Sequence, residues 1–299
     1  MRGQFLVGAV VLGAVAAAQV GVADAALPPE HGYVTSQMTL PTTNNKAANL
    51  GRDVDGNGIR DNRLGLYFAS LFNHGLDLTT APGDSIATGD VVMLHSLRAS
   101  TLGTTRNATW QVWYGAQTPD PDLSGTGTFS LRRAQPHSSP LAATINNHHV
   151  TTVTGSIPVR LDLGPVEPVL LTMKKAKVTA TCDGSGCSGG KLTGAVTKQQ
   201  IDTTLIPRMV EMFNPLVDRD CVTSCMADSI GKTIVNLFDA DGDFDITAQE
   251  IKNNPLDSSF LKPDLDLVKA DGTPGKDGVK DALSFGFGFT TVHATLDRP

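Results

Sequence analysis

Apolar and polar positions alternate with a period of two between about residues 90 and 197. The clearest run is Val159, Leu161 and Leu163, each separated from the next by a polar residue. Successive side chains of a β-strand point to opposite faces, so this alternation predicts strands that are buried on one face. Clusters of Gly, Pro and Asn interrupt the runs at short intervals, which favours an antiparallel β-sandwich.

After Thr197 the apolar spacing becomes helical. Apolar residues fall near one face from Gln199 to Val217, which predicts a helix with Pro207 in or near its first turn, where proline is tolerated. A shorter helix is predicted from Leu64 to Phe72. The alternation from Phe285 to His293 predicts a C-terminal strand that returns to the sandwich.

Residues 26–50 hold several prolines and a polar run, and this composition predicts an irregular segment. The predicted fold is mainly β with an α-helical segment, an antiparallel β-sandwich joined to a helical region. Four segments follow along the chain: a signal peptide at 1–25, an N-terminal segment at 26–84, the sandwich at 85–198, and the helical region with its C-terminal strand at 199–299.

The densest group of carboxylates lies in a twelve-residue loop with the sequence DADGDFDITAQE, here called the 239–250 loop. Ca²⁺ takes six to eight oxygen ligands, and a loop of this spacing closed by a bidentate Glu supplies them. The loop resembles an EF-hand, which implies a calcium site between two helices with Ile246 as an apolar anchor. The candidate metal ligands are Asp239, Asp241, Asp243, Asp245, Thr247 and Glu250.

The 239–250 loop departs from the EF-hand pattern at its sixth position. Phe244 stands where a Gly is usual, because the backbone there turns with a positive φ. A bulky residue in that conformation costs of order 1–3 kcal/mol, so we expect a distorted or weak loop. Gln249 to Asn253 predicts a short exit helix, and the entering helix is predicted from an apolar stripe of Ile230, Ile234, Leu237 and Phe238.

Two further acidic stretches share a short pattern. Gly51 to Asn62, here the 53–61 loop, resembles thrombospondin type 3 and dockerin-like calcium loops and has Gly58 at its turn. Asp277 to Asp281, here the 277–281 loop, repeats the residue types of Asn57 to Asp61, but its upstream carboxylate, Asp271, lies six places before Asp277 instead of four. An Asx-rich turn without metal is the alternative for the 53–61 loop, and a solvated acidic turn is the alternative for the 239–250 loop. The candidate ligands are Asp53, Asp55, Asn57, Asp61, Asp277 and Asp281.

Charge is distributed unevenly along the chain. The net charge is −6, and the residues from Asp228 onward hold 13 acidic and 7 basic side chains, so that region accounts for the whole negative excess. No basic patch is evident in the sequence, and nucleic-acid binding is therefore not expected.

The N-terminal residues predict export. Met1 to Ala25 has a basic start, an apolar stretch and a small-x-small end, which is typical of a secretory signal peptide. No later segment is apolar enough to span a membrane. The expected location is secreted, periplasmic or on the extracellular surface. In such an oxidising compartment we expect local disulfides, although four cysteines allow three pairings. The expected pairs are Cys182–Cys187 and Cys221–Cys225.

These features predict a secreted, non-catalytic protein whose partners are calcium ions, with Ca²⁺ ordering the acidic loops. A surface glycan or a protein is a further candidate partner. The alternative is a secreted hydrolase or a carbohydrate-binding module, which would show a cleft with converging carboxylates or an exposed Trp113. A regulatory sensor would instead need paired EF-hands.

Overall fold

The computed structural model describes residues 27–131, 134–164, 166–269 and 271–298, so the predicted signal peptide at 1–25 lies outside the described residues. The strands are β1 Glu30–Thr39, β2 Met93–Ala99, β3 Thr105–Tyr114, β4 Thr128–Ser130, β5 Leu141–Asn146, β6 His149–Thr152, β7 Gly155–Leu161, β8 Val169–Cys182, β9 Gly186–Thr197, β10 Ala282–His293 and β11 Thr295–Asp297. The helices are α1 Asn44–Leu50, α2 Arg63–Asn73, α3 Ala81–Thr88, α4 Lys198–Gln200, α5 Ile206–Asp220, α6 Ile230–Phe238, α7 Ala248–Asn253 and α8 Pro255–Phe260.

Nine strands form one antiparallel sheet in the order β6-β5-β3-β2-β1-β10-β9-β8-β7. The first part of β8 pairs with β7, and the last part pairs with β6, where His149 lies opposite Thr181. The sheet therefore closes on itself and surrounds one core. The prediction of a mainly β fold with an α-helical segment is confirmed, and the two halves of the curved sheet face each other in a sandwich-like way.

The C-terminal strand lies at the centre of this arrangement. β10 pairs with β1 on one side and β9 on the other, as the alternation near the C-terminus predicts for a returning strand. Phe285, Phe287 and Phe289 all point into the main core. β1 and β10, which are far apart along the chain, are thus neighbours in the sheet. The acidic loops are therefore connected to the same sheet.

The prediction of an irregular segment at residues 26–50 is wrong, because this segment forms β1 and α1. β1 does not alternate clearly, since both of its faces are covered. Tyr33 lies in the main core, whereas Val34 lies in a second apolar cluster outside the sheet together with Trp113 and Phe129. A strand that is buried on two faces loses the polar positions by which sequence patterns detect it.

The helical region begins as predicted and is interrupted near its start. α4 is followed by a π-helical turn, Ile201–Leu205, and then by α5, whose first turn contains Pro207. The predicted helix at 64–72 is observed as α2. Phe213 of α5 stacks on Phe238 of α6 with ring centroids 5.2 Å apart, which fixes the entering helix against the body.

One position of the predicted stripe on α6 is wrong. Ile230 is 45% exposed because it is the first residue of the helix, whereas Ile234 and Phe238 are buried. Both expected disulfides are present, Cys182–Cys187 and Cys221–Cys225. No helix within the described ranges is long and apolar enough to cross a membrane.

Candidate metal centre

The 239–250 loop connects α6 to α7, and both helix ends are fixed by local hydrogen bonds. The Asp239 N–H donates to Val235 O at the end of α6. At the start of α7, Thr247 Oγ1 accepts from the Glu250 N–H (3.2 Å), and Glu250 Oε2 accepts from the Thr247 N–H (2.9 Å). This reciprocal pair satisfies two N–H groups that a helix start leaves free. The helix predicted at 249–253 is therefore observed with a defined beginning.

Three carboxylates converge in this loop. Asp239, Asp241 and Asp243 each offer an oxygen, and these oxygens lie within 4.8 Å of one another. The Asp239 carboxylate accepts from the N–H groups of Gly242 (2.7 Å) and Phe244 (3.0 Å), which bends the loop around it. The loop spacing thus brings together the first three predicted ligands, while the assignment to a metal stays a prediction.

The electrostatics of the loop reflect crowding of negative charge. The pKa of Asp241 is raised by partial desolvation and by repulsion from Asp243, Glu250 and Asp239. The pKa of Glu250 is lowered, because hydrogen bonds from Thr247 and from the Ala240 N–H (2.8 Å) outweigh the opposing effect of desolvation. A cation placed among these oxygens would relieve the repulsion.

Phe244 takes the unusual conformation that its position requires. Its φ is +64°, in the left-handed region that favours glycine. The half-buried phenyl ring packs against the main core, and the neighbouring Ile246 is fully buried. The apolar contacts of Phe244 and Ile246 offset part of the backbone strain, so the loop keeps its turn without a glycine.

Asn214 on α5 holds the loop from outside, and sequence analysis missed it. Its Nδ2 donates to Asp245 Oδ1 (2.7 Å) and to Ile246 O (3.1 Å), and its Oδ1 accepts from the Ile246 N–H (2.8 Å). The Asp245 carboxylate therefore faces α5 through this contact. No local pattern could have revealed Asn214, because it lies 31 residues before Asp245.

The 53–61 loop forms a second convergence of carboxylates. Oxygens of Asp53, Asp55 and Asp61 lie within 4.8 Å of one another. Asp53 accepts from the N–H groups of Gly56 (2.7 Å), Asn57 (3.1 Å) and Gly58 (2.8 Å), and the pKa of Asp53 is lowered, the Gly58 bond contributing most. Desolvation raises the pKa of Asp61, and repulsion from Asp55 adds to it.

Asn57 is placed differently from the three carboxylates. Its side chain donates to Asp55 Oδ2 (3.2 Å) and accepts from the Ile59 N–H (2.7 Å). Asn57 therefore stabilises the turn and orients one carboxylate. Its role as a metal ligand stays a prediction.

The 277–281 loop shares part of the hydrogen-bond pattern of the 53–61 loop, with Asp266 as its first carboxylate. Asp266 accepts from the N–H groups of Asp277 (3.2 Å) and Gly278 (2.7 Å), as Asp53 does from Asn57 and Gly58. The last carboxylates of the two loops also correspond. Asp281 accepts from the N–H groups of Leu267 (3.0 Å) and Val268 (2.6 Å), and Asp61 accepts from the Val54 N–H (2.9 Å). The weak repeat in the sequence therefore corresponds to a repeated turn.

Asp271 is not the upstream carboxylate of this loop, because it accepts from the Thr273 N–H (2.9 Å) within the hairpin. Asp266 was missed because that hairpin separates it from the rest of its loop. It precedes Asp277 by eleven residues, whereas Asp53 precedes Asn57 by four. Within the described ranges, three carboxylates bring their oxygens within 4.8 Å of one another in the 239–250 loop and in the 53–61 loop, but not in the 277–281 loop. The metal assignments of Asp277 and Asp281 stay predictions.

The two related loops lie side by side. Lys276 Nζ donates to Asp55 O at 3.3 Å. Val54 and Leu267, which hold corresponding places in the two loops, share a small apolar cluster with Ala195, Leu265 and Ala282. These contacts join both loops to β9 and β10.

Comparisons with protein-family models, with curated proteins and with solved structures found no match. The site itself therefore has to support any functional conclusion. An exposed Trp113 would have favoured a carbohydrate-binding surface, but this residue is only 8% exposed. It stacks on His137 at 4.4 Å, and the Arg298 guanidinium lies 5.4 Å from the ring centroid.

Proposed function

We propose that this chain is an exported calcium-binding protein without a catalytic role, in which Ca²⁺ orders acidic loops. The convergence of Asp239, Asp241 and Asp243 within 4.8 Å supports this proposal most strongly. Carboxylate oxygens are the ligands that a hard divalent cation prefers, and the set contains no sulfur or imidazole. The two disulfides support export, because such bonds persist in oxidising compartments.

The ion would act as a structural link between helices. Asp239 directly follows α6, and Glu250 lies in the first turn of α7, so an ion bound by both carboxylates would join the two helices. Asn214 and Ile246 connect the same loop to α5 and to the core. Neutralising the repulsion within the loop would then stabilise the helical region as a whole.

Millimolar calcium would be sufficient for this role. Extracellular calcium modules have dissociation constants of roughly 10⁻⁴–10⁻³ M. A ligand that binds only the folded state adds RT ln(1 + [L]/Kd) to the free energy of unfolding, which is about 1.4 kcal/mol at tenfold excess over Kd. We expect a structural role rather than a switch, because α7 spans only Ala248–Asn253 and gives little leverage for a large opening motion.

Thermal melts test this function. Wild type should melt at a higher temperature in millimolar Ca²⁺ than after chelation, with much less effect from Mg²⁺, which demands tight octahedral geometry. An Asp239→Ala, Glu250→Gln variant should lose most of the calcium-dependent increase. An unchanged wild-type melt would contradict the structural role, and strong calcium-dependent binding of a hydrophobic dye would favour a sensor.

A further inference from the structure

The hairpin inserted between Asp266 and Asp277 forms one wall of a cavity of about 490 Å³. The opposite wall consists of the start of β7 and the middle of β8. Three lysines line the cavity, Lys174, Lys175 and Lys276, and none of its described lining residues is acidic. The cavity therefore concentrates positive charge on a protein whose net charge is −6.

The backbone of β8 is distorted at two of the lysines that line this cavity. Consecutive side chains of a regular strand point to opposite faces, yet Lys174 and Lys175 line the same cavity. The register with β9 shifts between Lys174 and Lys177, and Lys175 has a φ of +46°. Bulges of this kind re-aim side chains and are common beside functional sites.

The three lysines are not held in salt bridges within the part of the chain that the structure describes, although Lys174 also lines a neighbouring cavity with Asp277 and Asp281. Lys276 donates to the main-chain oxygen of Asp55 at 3.3 Å. Sequence analysis could not detect this group, because Lys276 is about a hundred residues from the other two.

The rest of the lining combines polar and apolar groups. Thr154 and Ser156 in the lining carry hydroxyl groups, and Val268 and Pro274 are apolar. The hairpin wall is held by its own hydrogen bonds, among them Gly275 N–H to Leu267 O at 2.9 Å. The cavity is thus formed before any ligand arrives, and its volume falls in the range of small-molecule sites.

We propose that this cavity binds an anionic saccharide. Its carboxylate or sulfate groups pair with Lys174, Lys175 and Lys276, its hydroxyls bond to Thr154 and Ser156, and a ring face packs on Pro274. A compact cavity with these three kinds of surface fits a sugar ring better than an extended peptide, which binds along a strand edge. This inference goes beyond calcium binding and does not require an ion.

The test compares charge-removing variants in metal-free buffer after chelator treatment, so the outcome is independent of the calcium proposal. The cavity variant carries Lys174→Gln, Lys175→Asn and Lys276→Gln, with asparagine chosen because it tolerates a positive φ. A second variant replaces the same three lysines by arginine and keeps the charge. The matched control carries Lys46→Gln, Lys232→Gln and Lys262→Gln, which are exposed lysines outside this cavity.

The probes are fluorescent oligogalacturonate, a sulfated glycan, a neutral glucan and polyglutamate. We expect wild type, the arginine variant and the control to bind an acidic glycan, and the cavity variant to bind at least about tenfold more weakly. The relative affinities for the first two probes distinguish carboxylate from sulfate as the anion. Equal binding by the cavity variant and the control, no binding of either acidic glycan, or tighter binding of polyglutamate would overturn the proposal.

Discussion

Replacing Asp257 by asparagine should make the stability of the protein less dependent on pH. Asp257 lies near the start of α8 and is 1% exposed. Neither of its carboxyl oxygens makes a hydrogen bond of normal geometry within the described structure, although the Tyr67 hydroxyl lies near enough to favour the ionised form. Burial is the larger effect and raises the pKa of Asp257 from 3.8 to about 7.

The direction of this pH dependence follows from proton linkage. The folded state holds the Asp257 proton more tightly than the unfolded state, because its folded pKa is the higher one. Its stabilising contribution is therefore complete below about pH 4 and is lost as the pH rises through about 7. At about 1.36 kcal/mol per pH unit, the difference between 3.8 and about 7 corresponds to at most about 4 kcal/mol.

Urea unfolding between pH 4 and pH 8.5 measures this contribution in the presence of a chelator. The asparagine side chain has the shape of the protonated acid and never ionises, so wild type and Asp257→Asn should have similar stability at pH 4. At pH 8 the variant should be more stable, by up to about 4 kcal/mol. The control is Asp218→Asn, which makes the same substitution at an exposed position on α5. A difference between wild type and Asp257→Asn that is the same at both ends of the range would refute the reasoning.

Two further predictions concern the loops. Asn214→Ala removes three hydrogen bonds to Asp245 and Ile246, so it should lower the free energy of unfolding by about 1–3 kcal/mol and weaken calcium binding. The control, Asn253→Ala, changes an exposed asparagine and should have neither effect. Equal results for the two variants in calorimetry and urea unfolding would contradict this. Gly58→Ala should lower the free energy of unfolding in urea by about 1 kcal/mol, because Gly58 has a φ of +84° and an added Cβ would contact no other atom. Gly83 also has room for a Cβ but lies within a helix, so Gly83→Ala should leave the stability unchanged or raise it. No loss of stability in Gly58→Ala would show that the turn tolerates a side chain.

Local patterns predict the parts of the structure whose determinants are local. The alternation in β7, the returning strand β10, the position of Pro207 in the first turn of α5 and the positive φ at Phe244 all follow from neighbouring residues. In β8 the alternation changes phase at the bulge, so Leu170, which shares its parity with Val178 in the sequence, is 44% exposed. The 239–250 loop is also local, since its hydrogen bonds mostly join residues of the loop itself. These elements can be predicted from one sequence, because few distant contacts compete with them.

The missed features depend on distant contacts. β1 was not predicted because a second apolar cluster covers its outer face and removes the alternation. Closure of the sheet depends on the pairing of β6 with β8. Hydrophobic periodicity shows which residues form strands, but it does not show which strands pair. Asn214 and Asp266 meet their loops only after the chain folds, so their importance is visible only in three dimensions.

Calorimetric titration of chelator-treated protein with CaCl₂ tests the central claim most directly. We compare wild type with Asp239→Ala, Glu250→Gln, which removes one carboxylate of the triad and the carboxylate in the first turn of α7. The matched control is Asp84→Ala, Glu167→Gln, which removes the same charges at exposed positions outside the acidic loops.

Wild type and the control should release or absorb the same heat on binding, with dissociation constants of roughly 10⁻⁴–10⁻³ M. The loop variant should lose one binding event while keeping any event at the 53–61 loop. Identical titrations for wild type and Asp239→Ala, Glu250→Gln would contradict the assignment of calcium to the 239–250 loop.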